Sequence, residues 1–263
     1  MGKLSGKTAL VTGASKGIGE GIARVLAEHG AAVVMAARGE DVLEAAARLR
    51  AKGAKAIGVR MDVSDAESVR RGYAQAVAEF GKVDILVANA GICRLGDFLG
   101  QTADDDLNAH LNINVKGAWN ACRAVIPGML ERKYGKIVIM SSVTGHMVAD
   151  PGEAAYAVSK AALVGLTKAL AREFAPYITV NAILPGYVMT PMVEGMAKQS
   201  CPENPQSVID GIAAAIPMGR LAFPREVGDL AAFLACDESA YLTGGEFVID
   251  GGSTLPETAT MGV

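Results

Sequence analysis

Tyr156 and Lys160 stand four residues apart, a spacing that puts both side chains on one face of a helix. A free tyrosine has a pKa near ~10 and is a poor acid–base group at neutral pH. A nearby ammonium favours the phenolate and lowers that value. The pair can therefore protonate a ketone oxygen under reduction, or take the proton of an alcohol under oxidation. Ser142 lies fourteen residues before Tyr156. Its hydroxyl can hydrogen-bond the reacting oxygen and help polarise the carbonyl. The adjacent Ser141 is the alternative for that role; otherwise it closes the preceding strand.

A second set of residues points to a nucleotide. Thr12-Gly13-Ala14-Ser15-Lys16-Gly17-Ile18-Gly19 follows a short apolar run and opens a helical pattern. Glycines there permit a tight turn and close backbone approach to phosphate, and a helix N-terminus adds free N–H groups and a favourable dipole. The same glycines would also suit an ordinary turn. The next apolar run ends in Met35-Ala36-Ala37-Arg38. An acidic residue at that point would bind the ribose hydroxyls of NAD(H) and repel a 2′-phosphate. Ala37 stands there instead, with Arg38 after it and Lys16 in the glycine turn, so NADP(H) is expected and NAD(H) is the lesser alternative. Solvent-facing charge is the plainer reading of both cations.

Such groups need a scaffold. Strands are expected at 8–11, 32–36, 55–61, 84–88, 136–140, 179–183 and 245–249, and helices at 20–29, 41–52, 65–80, 104–132 and 154–174. Strands alternating with helices imply βαβ units and a parallel sheet. Runs such as AVVMA and IVIM are apolar throughout, as strands buried on both faces are. The expected fold class is α/β: a single-domain, Rossmann-type, doubly wound parallel sheet of about seven strands with helices on both faces, spanning 1–263. Residues 190–222, with Pro191, Pro202, Pro205 and Pro217 and with Pro224 just beyond, read as an irregular segment over the substrate. Met192, Met196, Ile212, Ile216 and Met218 suit an apolar, adaptable lid, or equally a patch of core.

The turn has the form TGxxxGIG rather than GxGxxG, and in this it resembles the short-chain dehydrogenase/reductase family. Further motifs follow in the family's order: Asn89-Ala90-Gly91, Asn114, Ser142, Tyr156 through Lys160, Pro185-Gly186, and Tyr241-Leu242-Thr243-Gly244 before Asp250-Gly251-Gly252. The resemblance covers essentially the whole chain. It is especially similar to a bacterial subgroup of uncharacterised NAD(P)-dependent oxidoreductases with the same short tail. The family usually has Asn-Asn-Ala-Gly where this chain has Ala88 first, and the loop 144–153 carries one extra residue.

The resemblance implies hydride transfer between NADP(H) and a carbonyl or secondary alcohol, with Asn114, Ser142, Tyr156 and Lys160 as the catalytic set. Ser142 is the favoured serine. Asn114 would bend its helix and hold a water against Lys160, and Lys160 would also reach the nicotinamide ribose. The implied cofactor contacts begin with Gly13, Ser15, Lys16, Gly17, Ile18 and Gly19 in the turn, and Arg38 beyond the second strand. Asn89, Ala90 and Gly91 follow the fourth strand, and Tyr156 and Lys160 contribute from the helix. Pro185 and Gly186 border the nicotinamide, with Val188 and Thr190 at its carboxamide. Asp62 and Val63 resemble the adenine contact and equally suit a helix cap. His146, Met147 and Arg94 are further candidates for the substrate side. A 3-oxoacyl-carrier reductase and a polyol or sugar dehydrogenase are the main variants. A non-catalytic nucleotide sensor on the same fold is disfavoured by the intact Ser142–Tyr156–Lys160 set. A homotetramer is implied, with the final strand and tail at one interface.

Composition fits this reading. The 263 residues are 51% hydrophobic and 20% charged, enough for a full core without disulfides or metal. A net charge of −3 leaves no basic footprint for nucleic acid. Cys93, Cys122, Cys201 and Cys236 form no CxxC pair, which points to reduced thiols and a cytoplasmic protein. His29, His110 and His146 are too scattered for a zinc site. No signal peptide is visible, and no apolar run is long enough to span a membrane. The partner expected is a small carbonyl or alcohol, not nucleic acid or membrane.

Overall fold

Short runs of Val, Ile and Ala become strands because small and β-branched side chains suit a sheet covered on both faces. The computed structural model describes residues 2–255. It contains β1 (Thr8–Thr12), β2 (Ala32–Ala37), β3 (Ala56–Arg60), β4 (Ile85–Ala88), β5 (Gly135–Met140), β6 (Ile178–Pro185) and β7 (Glu246–Ile249). All pair in parallel, in the order β3-β2-β1-β4-β5-β6-β7. The chain starts at the centre, winds to one edge, returns, and winds to the other. Between β1 and β4 the direction reverses, and a crevice opens there at the carboxyl ends of the strands. The tail beyond Leu255, to which the resemblance assigned an interface, lies outside the described residues.

The helices are α1 (Gly17–Glu28), α2 (Asp41–Ala51), α3 (Ala66–Phe80), α4 (Ala103–His110), α5 (Lys116–Glu131), α6 (Ala154–Phe174), α7 (Pro191–Ser200), α8 (Pro205–Ala215) and α9 (Pro224–Ala235). They make two cores, one on each face of the sheet. Ile22, Val25 and Val42 pack with Val11 and Val33 on one side. Val69, Val125 and Leu163 pack with Leu10, Val34 and Leu86 on the other. Successive residues of β1 thus serve opposite cores. Helices α1 and α9 meet at backbone distance: a Cβ on Gly21 would stand 2.5 Å from Pro224, and one on Gly228 would stand 2.8 Å from Val25.

Three expectations change. The helix expected over 104–132 is interrupted by a π turn, Leu111–Val115, which separates α4 from α5. The stretch after 190–222 holds α9, a helix not foreseen, whose Val227, Ala231 and Leu234 are buried. The prolines of 190–222 do not make the segment irregular. Pro191, Pro205 and Pro224 each sit in the first turn of a helix, where a missing N–H costs nothing.

Candidate active site

The β1–α1 turn is shaped by its glycines. Gly13 and Gly17 hold φ of +65° and +60°, the left-handed region that glycine enters freely. A Cβ on Gly13 would lie 2.8 Å from Ala90 Cα, and one on Gly19 would lie 2.3 Å from the Gly13 carbonyl oxygen. Asn89 ties this turn to the segment after β4: its Nδ2 donates to the Thr12 carbonyl at 2.9 Å and to that of Gly13 at 3.3 Å. Thr12 Oγ1 accepts from the N–H groups of Asn89 and Ala90 at 3.0 and 3.1 Å. No side chain caps the first turn of α1. Its orphan N–H groups, at Gly17, Ile18 and Gly19, border a cleft of about 830 Å³. The cradle fits a pyrophosphate: the backbone is bare, a Cβ would fill it, and the donors are unused.

Across the cleft, β5 delivers two serines with different fates. Ser141 Oγ donates to the Lys160 carbonyl at 2.8 Å and braces α6. Ser142 stands beside the Tyr156 phenol, near enough to favour its ionised form, and accepts from the Thr144 N–H at 3.1 Å. Of the pair, Ser142 is therefore the serine that meets Tyr156. One helical turn on, Lys160 is 5% exposed and its Nζ donates to the Met140 carbonyl at 2.8 Å, 5.6 Å from the centre of the Tyr156 ring. Burial lowers the Lys160 pKa to about 8. Burial also raises that of Tyr156, against the pull of Ser142. The expected lowering of the Tyr156 pKa by Lys160 is absent from the chain alone, because desolvation of the phenol dominates.

Asn114 lies in the π turn, 1% exposed, behind the cleft rather than in its wall. Its Oδ1 accepts from the Ile92 N–H at 2.8 Å. Its Nδ2 donates to the Ile92 carbonyl at 3.0 Å and to Ser159 Oγ at 2.9 Å. Ser159 in turn donates to the Tyr156 carbonyl at 2.7 Å. With both ends of its amide engaged, Asn114 braces α6 against the strand-four segment. A Cβ on Gly91 would stand 3.2 Å from Asn114 Oδ1 and 3.7 Å from Lys160 Nζ.

Of the expected cofactor residues, Ser15 and Lys16 border the cleft at the turn, and Pro185, Gly186, Val188 and Thr190 border it beyond β6. Thr190 also caps α7, accepting from the Val193 N–H at 3.4 Å. Arg38, Asp62 and Val63 are not brought into this cleft. Arg38 is exposed past the end of β2, which the bond from the Ala14 N–H to the Ala36 carbonyl, 3.1 Å, holds beside the glycine turn. Asp62 closes a turn: its Oδ1 accepts from the Ser64 N–H and hydroxyl at 3.0 and 2.7 Å. The cap of α3 is Asp65, not Asp62. Val63 packs on Gly117, and its carbonyl accepts from Asn120 Nδ2 at 2.9 Å.

The substrate side differs from expectation. Met192, Met196, Ile212 and Ile216 border the cleft, whereas Met218 does not and is 64% exposed. His146 pairs with Glu246 at 2.7 Å and Arg94 with Asp106 at 3.5 Å; neither borders the cleft, nor does Met147. In their place stand Cys93, Thr144, Asp150 and Glu153, none of them foreseen, together with Tyr187 from the segment expected to border the nicotinamide. Glu153 was detectable: it is three residues before Tyr156 and so shares its helix face. Burial pushes the Cys93 thiol up to about 11. His110, fully buried, lies edge-on to the Tyr156 ring at 6.1 Å. Among the described residues no group of side chains could hold a metal ion, and no helix is long and apolar enough to cross a membrane.

Comparison with known proteins adds relatives to this geometry. A family profile described as Enoyl-(Acyl carrier protein) reductase matches residues 13–254. The chain is 58% identical over 264 residues to Oxidoreductase UcpA of Salmonella typhimurium, covering 100% of both. A short-chain type dehydrogenase/reductase from Mycobacterium marinum superposes with a TM-score of 0.88 at 38% identity, over 96% of this chain and 97% of that one. A gluconate 5-dehydrogenase from Burkholderia cenocepacia, solved with NADP and tartrate, gives a TM-score of 0.87 at 34% identity, over 96% and 97%.

Proposed function

Because the chain belongs to the short-chain dehydrogenase/reductase family, we propose that it is an NADP(H)-dependent oxidoreductase acting on a carbonyl/secondary-alcohol pair. The observation that carries this reading is the half-buried Tyr156 phenol, beside Ser142 and one turn from Lys160, in the same cleft as the uncapped glycine turn. The nicotinamide cofactor, when bound, supplies or accepts the hydride. Gly17, Ile18 and Gly19 would hold its pyrophosphate through their N–H groups. Arg38 and Lys16 would flank the 2′-phosphate, and Val188 and Thr190 would meet the carboxamide.

The protein's own part is positioning and proton transfer. Tyr156 gives its phenolic proton to the substrate oxygen in reduction and takes it back in oxidation. Ser142 donates to the same oxygen and fixes its position. Lys160, held by the Met140 carbonyl, presents an ammonium to the ribose hydroxyls and to the proton path. Asn114 is a positioning residue for α6. The lid helices α7 and α8 exclude water. The four free cysteines support a reducing compartment, the cytoplasm. Exposed apolar residues on the outer sides of α5 and α6, Trp119 and Val158, support a homotetramer.

The test is NADPH and NADH oxidation, side by side, with a panel of ketones, ketoses and 3-oxoacyl thioesters. The last are included because of the acyl-carrier name of the matching profile. Turnover with NADPH is expected; no turnover with any member would remove the reading.

A further inference from the structure

Glu153 is the N-cap residue of α6, a place from which an acidic side chain ordinarily accepts the N–H groups of its own helix. It makes no such bond. The carboxyl accepts instead from Thr144 Oγ1 at 3.3 Å, is 8% exposed, and borders the same cleft as Ser142 and Tyr156. Side chains three apart on a helix lie roughly 5–6 Å apart at Cβ. Glu153 and the Tyr156 phenol border one cleft, and the Glu153 carboxyl is near enough to disfavour the phenolate.

The charges around it are one-sided. Asp150, at the same end of the cleft, accepts from the Tyr187 hydroxyl at 3.1 Å. Burial, then Asp150, raises the Glu153 pKa. Among the described residues Glu153 has no salt bridge, and Lys16 and Lys160 are the only lysines or arginines bordering the cleft. Lys16 belongs to the glycine turn, and Lys160 is engaged with the Met140 carbonyl. A carboxylate or phosphate on the substrate would thus meet the carboxyls of Glu153 and Asp150, while both cations of the cleft are already engaged. A neutral hydroxyl can donate to Glu153 without that cost. The rest of the substrate would lie against Met196, Ile212 and Ile216 of the lid.

We propose that Glu153 is a specificity-determining residue: it accepts a hydrogen bond from a hydroxyl near the reacting carbon, so the substrate is an uncharged hydroxy-carbonyl compound or polyol, and anionic substrates are rejected. This rests on the oxidoreductase reading above. The test uses three ketones that differ in one group: hydroxyacetone, acetone and acetoacetate. Their kcat/KM with NADPH is measured for the wild type, Glu153→Gln and Glu153→Leu, with NADPH binding and thermal melting as checks of folding. The wild type should prefer hydroxyacetone to each of the others by about tenfold or more, the effect of one hydrogen bond to a charged group. Glutamine keeps an acceptor and loses the charge, so Glu153→Gln should keep the preference over acetone and narrow that over acetoacetate. Glu153→Leu should bring the hydroxyacetone-to-acetone ratio toward one. Should Glu153→Leu not fold, the acetoacetate ratio of Glu153→Gln decides. Unchanged ratios in the variants, or a wild type that favours acetone or acetoacetate, would overturn the inference alone. No NADPH oxidation with these or with the wider panel would remove the oxidoreductase reading as well.

Discussion

At the scale of single residues, the site is a set of buried polar groups whose protonation is set by burial. Lys160 has a folded pKa of about 8 against an ordinary 10.5. Between those values the unfolded chain binds more protons than the folded one, so stability rises with pH through that window, and the full cost is present below it. Lys160→Met should remove this slope. The stability difference between wild type and variant in urea melts should shift by about 2 kcal/mol in favour of the wild type from pH 7 to pH 10. Parallel curves would show that Lys160 is not held at a lowered pKa. Cofactor choice is also a residue-scale matter. A charge-assisted contact from Arg38 is worth roughly 1.5–3 kcal/mol, or about ten- to hundredfold in favour of NADPH. Ala37→Asp with Arg38→Leu supplies a partner for free ribose hydroxyls and repels a phosphate, so kcat/KM should come to favour NADH. A wild type that already favours NADH would make Arg38 a solvated surface charge.

At the scale of elements, the glycine turn and the strands were the most legible parts of the sequence. Continuous apolar runs such as AVVMA have one reading in a parallel sheet, and Tyr156 and Lys160 follow from helix α6 having the same limits in sequence and structure, 154–174. The rest was hidden for physical reasons. The π turn at Leu111–Val115 adds one residue to a helical turn and leaves the apolar spacing nearly intact, so only Asn114, a poor helix former, marks it. Helix α9 was obscured because prolines were read as breakers, although Pro224 with Glu226 two residues later is a helix start. Arg38, Asp62 and Glu153 depend on which way a side chain turns, and no periodicity encodes that. The tight turn itself gives a test. In Gly19→Ala the new methyl would press on the Gly13 carbonyl oxygen and on Asn89 Nδ2, at 2.3 and 2.6 Å, neither free to move. NADPH affinity should fall at least ~tenfold, the equivalent of about 1.4 kcal/mol, and the melting temperature should drop. Gly195→Ala in α7, with nothing within 4 Å, should do neither. Equal behaviour of the two variants would show that the turn does not need its bare backbone.

At the scale of the whole molecule, the doubly wound sheet brings residues from β1, β4, β5, α6 and β6 to one crevice, and the outer sides of α5 and α6 leave Trp119 and Val158 exposed. Trp119 is 49% and Val158 52% exposed, an arrangement that a two-fold partner would cover. Light scattering should therefore give a tetramer for the wild type and a smaller species for Trp119→Glu; a monomeric wild type at micromolar concentration would contradict it. The assembled account makes Tyr156 the proton donor in an NADPH-dependent reduction, and one comparison tests that most directly. NADPH oxidation with the best ketone of the panel is measured for the wild type and Tyr156→Phe, together with NADPH binding by fluorescence titration. The phenylalanine ring keeps the packing and lacks only the hydroxyl. Turnover should fall by about 10²–10⁴ while NADPH affinity stays within a few-fold. A Tyr156→Phe protein that keeps more than half the wild-type rate would contradict the account.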